Sequence, residues 1–327
     1  MPPVVIDTID EFRAGLLRAE QAQMTEAARR WLGVEQALQV QADALSQWMA
    51  GDGHITRVEH LMQSRRWQEL QRQVDAELGR YAGFLNGRIV DGQRNMMLNA
   101  ISHSQATIQA IAAESEIVVQ FNRLPVAAVE NMIGLAGDGS PVRALLDEAA
   151  AAGPDAMAQE LVNGIALGRN PLEVARRAIR QGLGQSFTRM ATIARTEQLR
   201  VYRETTLQSY RASNVVMGYR RLSARDSRTC IACLFADGRY YELGESFDQH
   251  PNCRCTLLPV LRNVPVTQYE TGQQWFRRQS ERTQRAMMGR GRYEAWRAGA
   301  VSLDDLVSRD WSDVWGGSLR PTRVSDL

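Results

Sequence analysis

Apolar residues in the first 120 positions recur every three or four residues. Ile9, Phe12, Leu16, Leu17, Met24, Trp31, Leu38, Leu45 and Trp48 form one such series, and its spacing predicts a long amphipathic helix. Asp7-Thr8-Ile9-Asp10-Glu11 supplies capping side chains and early acids at its start. Gly51-Asp52-Gly53 interrupts the series. A second run holds Val58, Leu61, Met62, Trp67, Leu70, Val74, Leu78 and Tyr81; Gly83 and Gly87 weaken it, and a third runs from about Ile89 to Phe121. Between 123 and 184 the texture changes. Pro125, Pro141, Pro154 and Pro171 each open a short apolar-periodic segment. Proline suits the first turn of a helix, so four short helices are predicted, joined at Gly137-Asp138-Gly139-Ser140 and Gly168-Arg169-Asn170. From Gln185 to Ser213 neither Pro nor Gly intervenes, and Phe187, Met190, Ala194, Val201, Leu207 and Tyr210 fit one long helix. Val215–Leu222 has strand character, with Arg254–Val260 as its expected partner after a loop-rich stretch. Residues 263–327 read as short helices and turns, with a capping-box pattern at Ser302-Leu303-Asp304-Asp305.

The fold class expected is mainly α with a small β element. Four regions follow: a long-helix region over 1–122, short helices over 123–184, a long helix leading into a Cys/His-rich β-hairpin-like loop over 185–262, and a short helical extension over 263–327. A chain of 327 residues is long enough for two or three domains. Its 44% hydrophobic and 23% charged residues are ordinary for a globular protein. No apolar run approaches the ~18 residues of a membrane-spanning helix. The N-terminal Met-Pro-Pro-Val-Val-Ile-Asp lacks a basic stretch followed by an apolar one, so folding in a cytosol is expected.

Charge changes the picture only through its distribution. The net charge is +2, and all 39 basic residues are Arg. Residues 171–228 hold twelve Arg against four acids. Arg176, Arg177, Arg180, Arg189, Arg200, Arg203 and Arg211 lie there on predicted helices, followed by Arg220, Arg221, Arg225 and Arg228. Such a face could meet DNA phosphates without regard to base sequence. The competing reading is a solvated or internally paired face, since Glu197, Arg200 and Glu204 stand at i,i+3 and i,i+4 spacing. The seven tryptophans are dispersed and read as core or interface anchors, with Trp311 and Trp315 able to dock a tail on another subunit.

Chemistry concentrates in one place. All four cysteines, Cys230, Cys233, Cys253 and Cys255, fall within 26 residues, and His250 lies among them. The pattern is Cys-x2-Cys, sixteen residues, then His-x2-Cys-x-Cys. Structural zinc takes four N or S ligands, commonly a CxxC pair and a second pair 12–20 residues on. Five candidates compete for four places. One set is Cys230, Cys233, His250 and Cys255 with Cys253 spare; the other is all-cysteine, with His250 beside it. Two disulfides, or four plain thiols, are the alternatives. A deaminase would need His-x-Glu before Pro-Cys-x-x-Cys, and a metalloprotease His-Glu-x-x-His; the chain has neither. The cluster therefore reads as a closed structural zinc site and not a catalytic one.

Several segments then fall into a familiar order: Ala194-Arg195-Thr196-Glu197, Asp226-Ser227-Arg228-Thr229-Cys230-Ile231-Ala232-Cys233, Asp237-Gly238, His250-Pro251-Asn252-Cys253-Arg254-Cys255 and Pro259. Together they resemble the phage Mu F-like minor head protein family, most strongly over about 185–260. The resemblance implies a non-enzymatic virion component of a tailed bacteriophage, assembled in the host cytoplasm and located inside the head near the portal. It implies a role in head assembly and in DNA packaging or delivery. The partners it implies are the phage portal protein, then the major capsid or scaffolding protein, then double-stranded DNA bound non-specifically; no membrane is involved. A different class stays open. Asp248-Gln249-His250 beside a CxxC is faintly like a His-metal finger nuclease, with His250 as general base acting on phage or host DNA.

Overall fold

The computed structural model describes residues 4–51, 58–114, 141–167, 169–312 and 316–327. Mainly α with small antiparallel sheets is the architecture found. Those residues fall into two compact units. One takes in the described parts of Met1–Arg18, Gln93–Met132 and Gln198–Leu327; the other takes in those of Ala19–Gly92 and Ile133–Glu197.

Two long helices begin the chain, α1 (Val4–Gly51) and α3 (Arg65–Glu114), with the short α2 (Val58–Gln63) between them in sequence. In the second unit, α1 buries Met24, Ala27, Trp31, Val34, Leu38, Ala42 and Leu45, one stripe at helical spacing. Its counterpart on α3 is Trp67, Leu70, Val74, Leu78, Tyr81, Leu85 and Ile89. Tyr81 donates its hydroxyl to the Ala27 carbonyl at 3.1 Å, and its ring meets Trp31 edge-on at 5.0 Å. The expected break at Gly83 and Gly87 does not occur, because α3 runs through both. A helical glycine costs only about 1 kcal/mol, and the stripe Tyr81, Ala82, Leu85 and Ile89 is buried on both sides of Gly83. The end of the third predicted run, with Phe121, lies outside the described residues.

The proline-rich region also departs from expectation. Pro141 opens α4 (Pro141–Ala166) and Pro171 opens α5 (Pro171–Arg177), where Asn170 caps the Leu172 amide at 2.9 Å. Pro154 opens nothing; it lies inside α4. Packing overrides the missing amide there. The helix lies on a π-helical turn (Ala178–Leu183), whose Gly182 is close enough to Met157 that an added Cβ would stand 2.7 Å from its Cα. Pro125 and the Gly137–Ser140 connector lie outside the described residues, as does Gly168. The π turn passes into α6 (Gly184–Ala212), the long helix the sequence predicts.

The first unit is built on a three-stranded antiparallel sheet of order β2-β1-β3. Strand β1 (Val216–Leu222) pairs with β2 (Tyr240–Glu242) and with β3 (Thr256–Leu261), with Tyr219 opposite both Tyr241 and Pro259. Its core joins Ile6 and Ile9 of α1, Ile108 and Ile111 of α3, and Leu207 and Tyr210 of α6 to Tyr219, Leu222, Leu257, Leu258 and Leu261 of the sheet. A short helix, α7 (Ile231–Phe235), lies between β1 and β2 in sequence. The 263–327 segment wraps this helix. Phe276 of α8 (Gly272–Arg277), Met288 of α9 (Glu281–Met288) and Tyr293 of α10 (Arg290–Arg297) pack with Leu303 and Leu306 on Ile231, Leu234 and Phe235. Burying each such side chain contributes about 1.5–3 kcal/mol. The segment then ends in a hairpin of β4 (Val307–Ser312) and β5 (Gly316–Pro321), where the sequence suggested only helices and turns. The Ser302–Asp305 reciprocal bonds do form, at 2.8 and 3.3 Å, but they close a turn and not a helix. Trp311 is 71% exposed; Trp315 lies outside the described residues.

Candidate metal centre

The two halves of the cysteine pattern come from opposite ends of one loop. Cys230 caps α7 and Cys233 lies within it, fully buried. The second half is set by a tight turn. The Cys253 amide donates to the His250 carbonyl at 3.0 Å across Pro251 and Asn252, and Asn252 has φ +62°. Proline fixes the first corner, and asparagine tolerates the left-handed second. Cys253 and Cys255 follow, both buried, just before β3.

Asp226 joins the two halves. Its carboxylate accepts from the Arg228 amide at 3.0 Å and the Thr229 hydroxyl at 2.8 Å, and Arg254 reaches it at 3.6 Å. Asp237 fixes the far end of α7, accepting from the Ser223 amide at 2.6 Å and the Gly272 amide at 2.7 Å. Burial pushes its pKa up to about 6 against the pull of these bonds and of Arg225 and Arg13. The familiar acids thus brace the loop.

Donor atoms converge on Cys233. Its Sγ lies 3.1 Å from His250 Nε2 and 3.8 Å from Cys253 Sγ, and the three donor atoms all lie within 4.8 Å of one another. Cys230 and Cys255 lie outside this trio but near enough to alter its acidities. All four cysteines are free, so the disulfide reading does not hold. Cys253, the spare in one sequence-based set, stands in the tightest trio. The His250 ring faces a carbonyl with its other nitrogen, Nδ1 to Pro251 O at 2.8 Å. A carbonyl only accepts, so Nδ1 carries a proton, and Nε2 is the nitrogen turned toward the sulfurs. That is the orientation of a metal-ligating histidine, whose inner nitrogen gives up its proton to the ion.

The thiols differ in acidity. Hydrogen bonding from Cys233, then from His250, draws Cys230 down to about 4 against the effect of burial. Cys253 is held well below the usual range by hydrogen bonds from Cys233 and Cys255 and by the charge of Arg203. Cys233 is raised, chiefly as the donor to Cys230 and Cys253. Two sulfurs therefore accept while their neighbours donate, which is a low-cost starting point for an ion that displaces the shared protons. Three converging donors, the Cys233 and Cys253 sulfurs and the His250 imidazole, fit the N/S ligation of a tetrahedral ion, with two more sulfurs nearby for the fourth place. The arrangement is a Cys2His cluster able to hold a metal.

The predicted cationic face is dispersed. Arg203 is 2% exposed and points into the cysteine cluster, so it does not belong to an outer surface. Arg189 is paired with Glu148 at 2.6 Å, and Arg211 donates to the Leu243 carbonyl at 2.7 Å and lies 3.8 Å from Glu204. Arg200 is half-buried and engaged. Arg176 and Arg180 are exposed and Arg177 is half-buried, at the junction of α5 and the π turn. Sequence reasoning missed the buried roles of Arg203 and Arg221. Their positions carried the signal: Arg203 falls on the Leu199–Thr206–Tyr210 stripe of α6, and Arg221 shares a strand face with Tyr219.

No curated protein and no solved structure matches the chain significantly. Residues 155–258, just under a third of the chain, match the family model described as Phage Mu protein F like protein. That span contains α7, all four cysteines and His250. Through this segment the chain is similar to the phage Mu protein F-like family.

Proposed function

We propose that this protein is a minor head protein of a tailed bacteriophage, bound at the portal inside the head, with a structural zinc ion closing its cysteine loop. The observation that carries the reading is the match over 155–258 together with the Cys233–His250–Cys253 cluster inside it. Cys233, His250 and Cys253 would hold the ion, with Cys230 or Cys255 as the fourth ligand. When bound, the ion supplies a rigid cross-link between the CxxC turn and the β3 lead-in, so that a loop with few apolar side chains keeps one shape. With Cys230 or Cys255 completing the four places, the site would leave no open position for a reacting water. A nuclease would need His250 free as a base, yet its Nε2 faces Cys233 and its Nδ1 is bonded to the Pro251 carbonyl. Contact with the major capsid or scaffolding protein, and non-specific contact with DNA through Arg176, Arg177 and Arg180, belong to the same proposal. No helix among the described residues is long and apolar enough to cross a membrane.

The test is affinity capture of the tagged chain from phage-infected cells. A portal ring recovered with it supports the reading; capture without any virion protein, or plasmid cleavage that vanishes in His250→Ala, overturns it.

A further inference from the structure

Two guanidinium groups are buried against the cysteine cluster without any carboxylate to balance them. Arg221 is fully buried. Its Nη1 lies 3.6 Å from Cys233 Sγ, its Nη2 donates to the Asp248 carbonyl, and its charge sits 4.0 Å from the Phe247 ring centroid. Arg203 comes from α6 and stands 5.9 Å from the centroid of the same ring. It donates to Gln249 Oε1 at 2.7 Å and to the Cys253 carbonyl at 2.8 Å. Every acceptor with these hydrogen bonds, the sulfur apart, is neutral. Among the described residues, Arg203 Nη2 and Arg221 Nε meet no acceptor at all.

The contrast with Arg13 sharpens the point. Arg13 is also buried, and it is paired with Asp10. The carboxylate nearest in sequence to the cluster, on Asp248, is engaged by Arg309 at 2.9 Å. A buried unpaired charge is among the most costly features a fold can carry, and two like charges facing one ring compound it. Only the sulfurs can supply the missing negative charge. A divalent ion with four thiolates carries −2, and with three thiolates and a neutral histidine −1.

We propose that Arg203 and Arg221 are the built-in counter-charge of an anionic metal–thiolate centre, positioning residues that set how tightly the loop holds its ion. This rests on the metal-centre reading given above. The pair would favour a thiolate-rich ligand set, in which the sulfurs stay ionised as the ion binds. It would also explain why arginine, not a neutral donor, stands at both positions: the charge faces the sulfurs while the planar fork serves a carbonyl and Cys233 Sγ at Arg221, and a carbonyl and an amide oxygen at Arg203.

The experiment compares the full-length wild-type chain with Arg221→Met, Arg203→Met and Arg221→Lys. Zinc affinity is measured by competition with a chromophoric chelator, and the thermal midpoint is recorded with zinc and with excess chelator. Each Met variant is expected to bind zinc about 10–100-fold more weakly, the range found for outer-shell partners of metal ligands. Its midpoint should fall further below wild type with zinc than with chelator. Arg221→Lys keeps the charge and should recover most of the affinity, which keeps the test decisive where a Met variant does not fold. Wild-type affinity in the Met variants, or an equal loss of midpoint with and without zinc, would show a merely structural role and overturn the proposal. A wild-type chain that binds no zinc would instead overturn the metal-centre reading on which it stands.

Discussion

At the scale of single residues, Cys233 is the hub, touching His250, Cys253 and Arg221. Cys233→Ser should therefore eliminate stoichiometric zinc, whereas Cys230→Ser and Cys255→Ser should differ from each other, the true fourth ligand showing the larger loss. Elemental analysis of the purified variants checks this; full metal content in Cys233→Ser would sink the site. A second residue-scale consequence concerns His103. It stacks on Phe12 at 3.8 Å and meets the Tyr202 hydroxyl at 3.0 Å through Nδ1. Burial lowers its pKa to about 4. The unfolded chain thus takes up a proton near pH 6.5 while the folded one resists, and stability drains away as pH falls from about 6.5 to 4. Asp237 acts in the opposite sense, since its raised folded pKa adds stability as pH falls through about 6. Comparing His103→Phe with wild type by urea unfolding at pH 7 and pH 5 isolates the histidine: the variant should lose less stability over that interval, and equal losses would contradict the assignment.

Elements were partly legible in the sequence, and the misreadings share one cause. The apolar stripes of α1 and α6 predicted those helices well, as the strand pattern did for β1 and β3. Glycine and proline were over-read. Gly83, Gly87 and Pro154 lie within helices, because local propensity is worth about 1–3 kcal/mol and a continuous buried stripe outweighs it. Conversely, a glycine that matters sterically, Gly182, gave no sequence signal. An added Cβ would stand 2.7 Å from Met157 Cα and 2.8 Å from its amide nitrogen. Gly182→Ala should separate the π turn from α4 and cost about 1–3 kcal/mol, the usual range for overpacking. A thermal midpoint unchanged from wild type would refute the claimed close approach.

For the molecule as a whole, the C-terminal segment is part of the candidate site's support. Phe276, Met288, Tyr293, Leu303 and Leu306 cover one side of α7, and Leu319 packs on Ala232 and Ala236. The Gln249 amide donates to the Gly317 carbonyl at 3.0 Å, next to His250. A chain ending at Arg262 should therefore expose the apolar side of α7, aggregate more readily and lose zinc even though every cysteine remains. Soluble truncated protein with full metal content would show that the segment is dispensable.

The sequence by itself determined the helix-rich class, the positions of the long helices and the β1–β3 pair, and the five candidate ligands, since each is written in local spacing: a 3.6-residue period, an apolar strand run, a CxxC and a His-x2-Cys-x-Cys. Only the tertiary structure decided which donors converge, that Cys253 stands in the trio, and that Arg203 and Arg221 turn inward. Those outcomes depend on residues far apart in the chain: α6 brings Arg203, β1 brings Arg221, and the Pro251–Asn252 turn brings Cys253. Charge is a property of a residue, but its meaning depends on burial, and burial is fixed only when the elements pack.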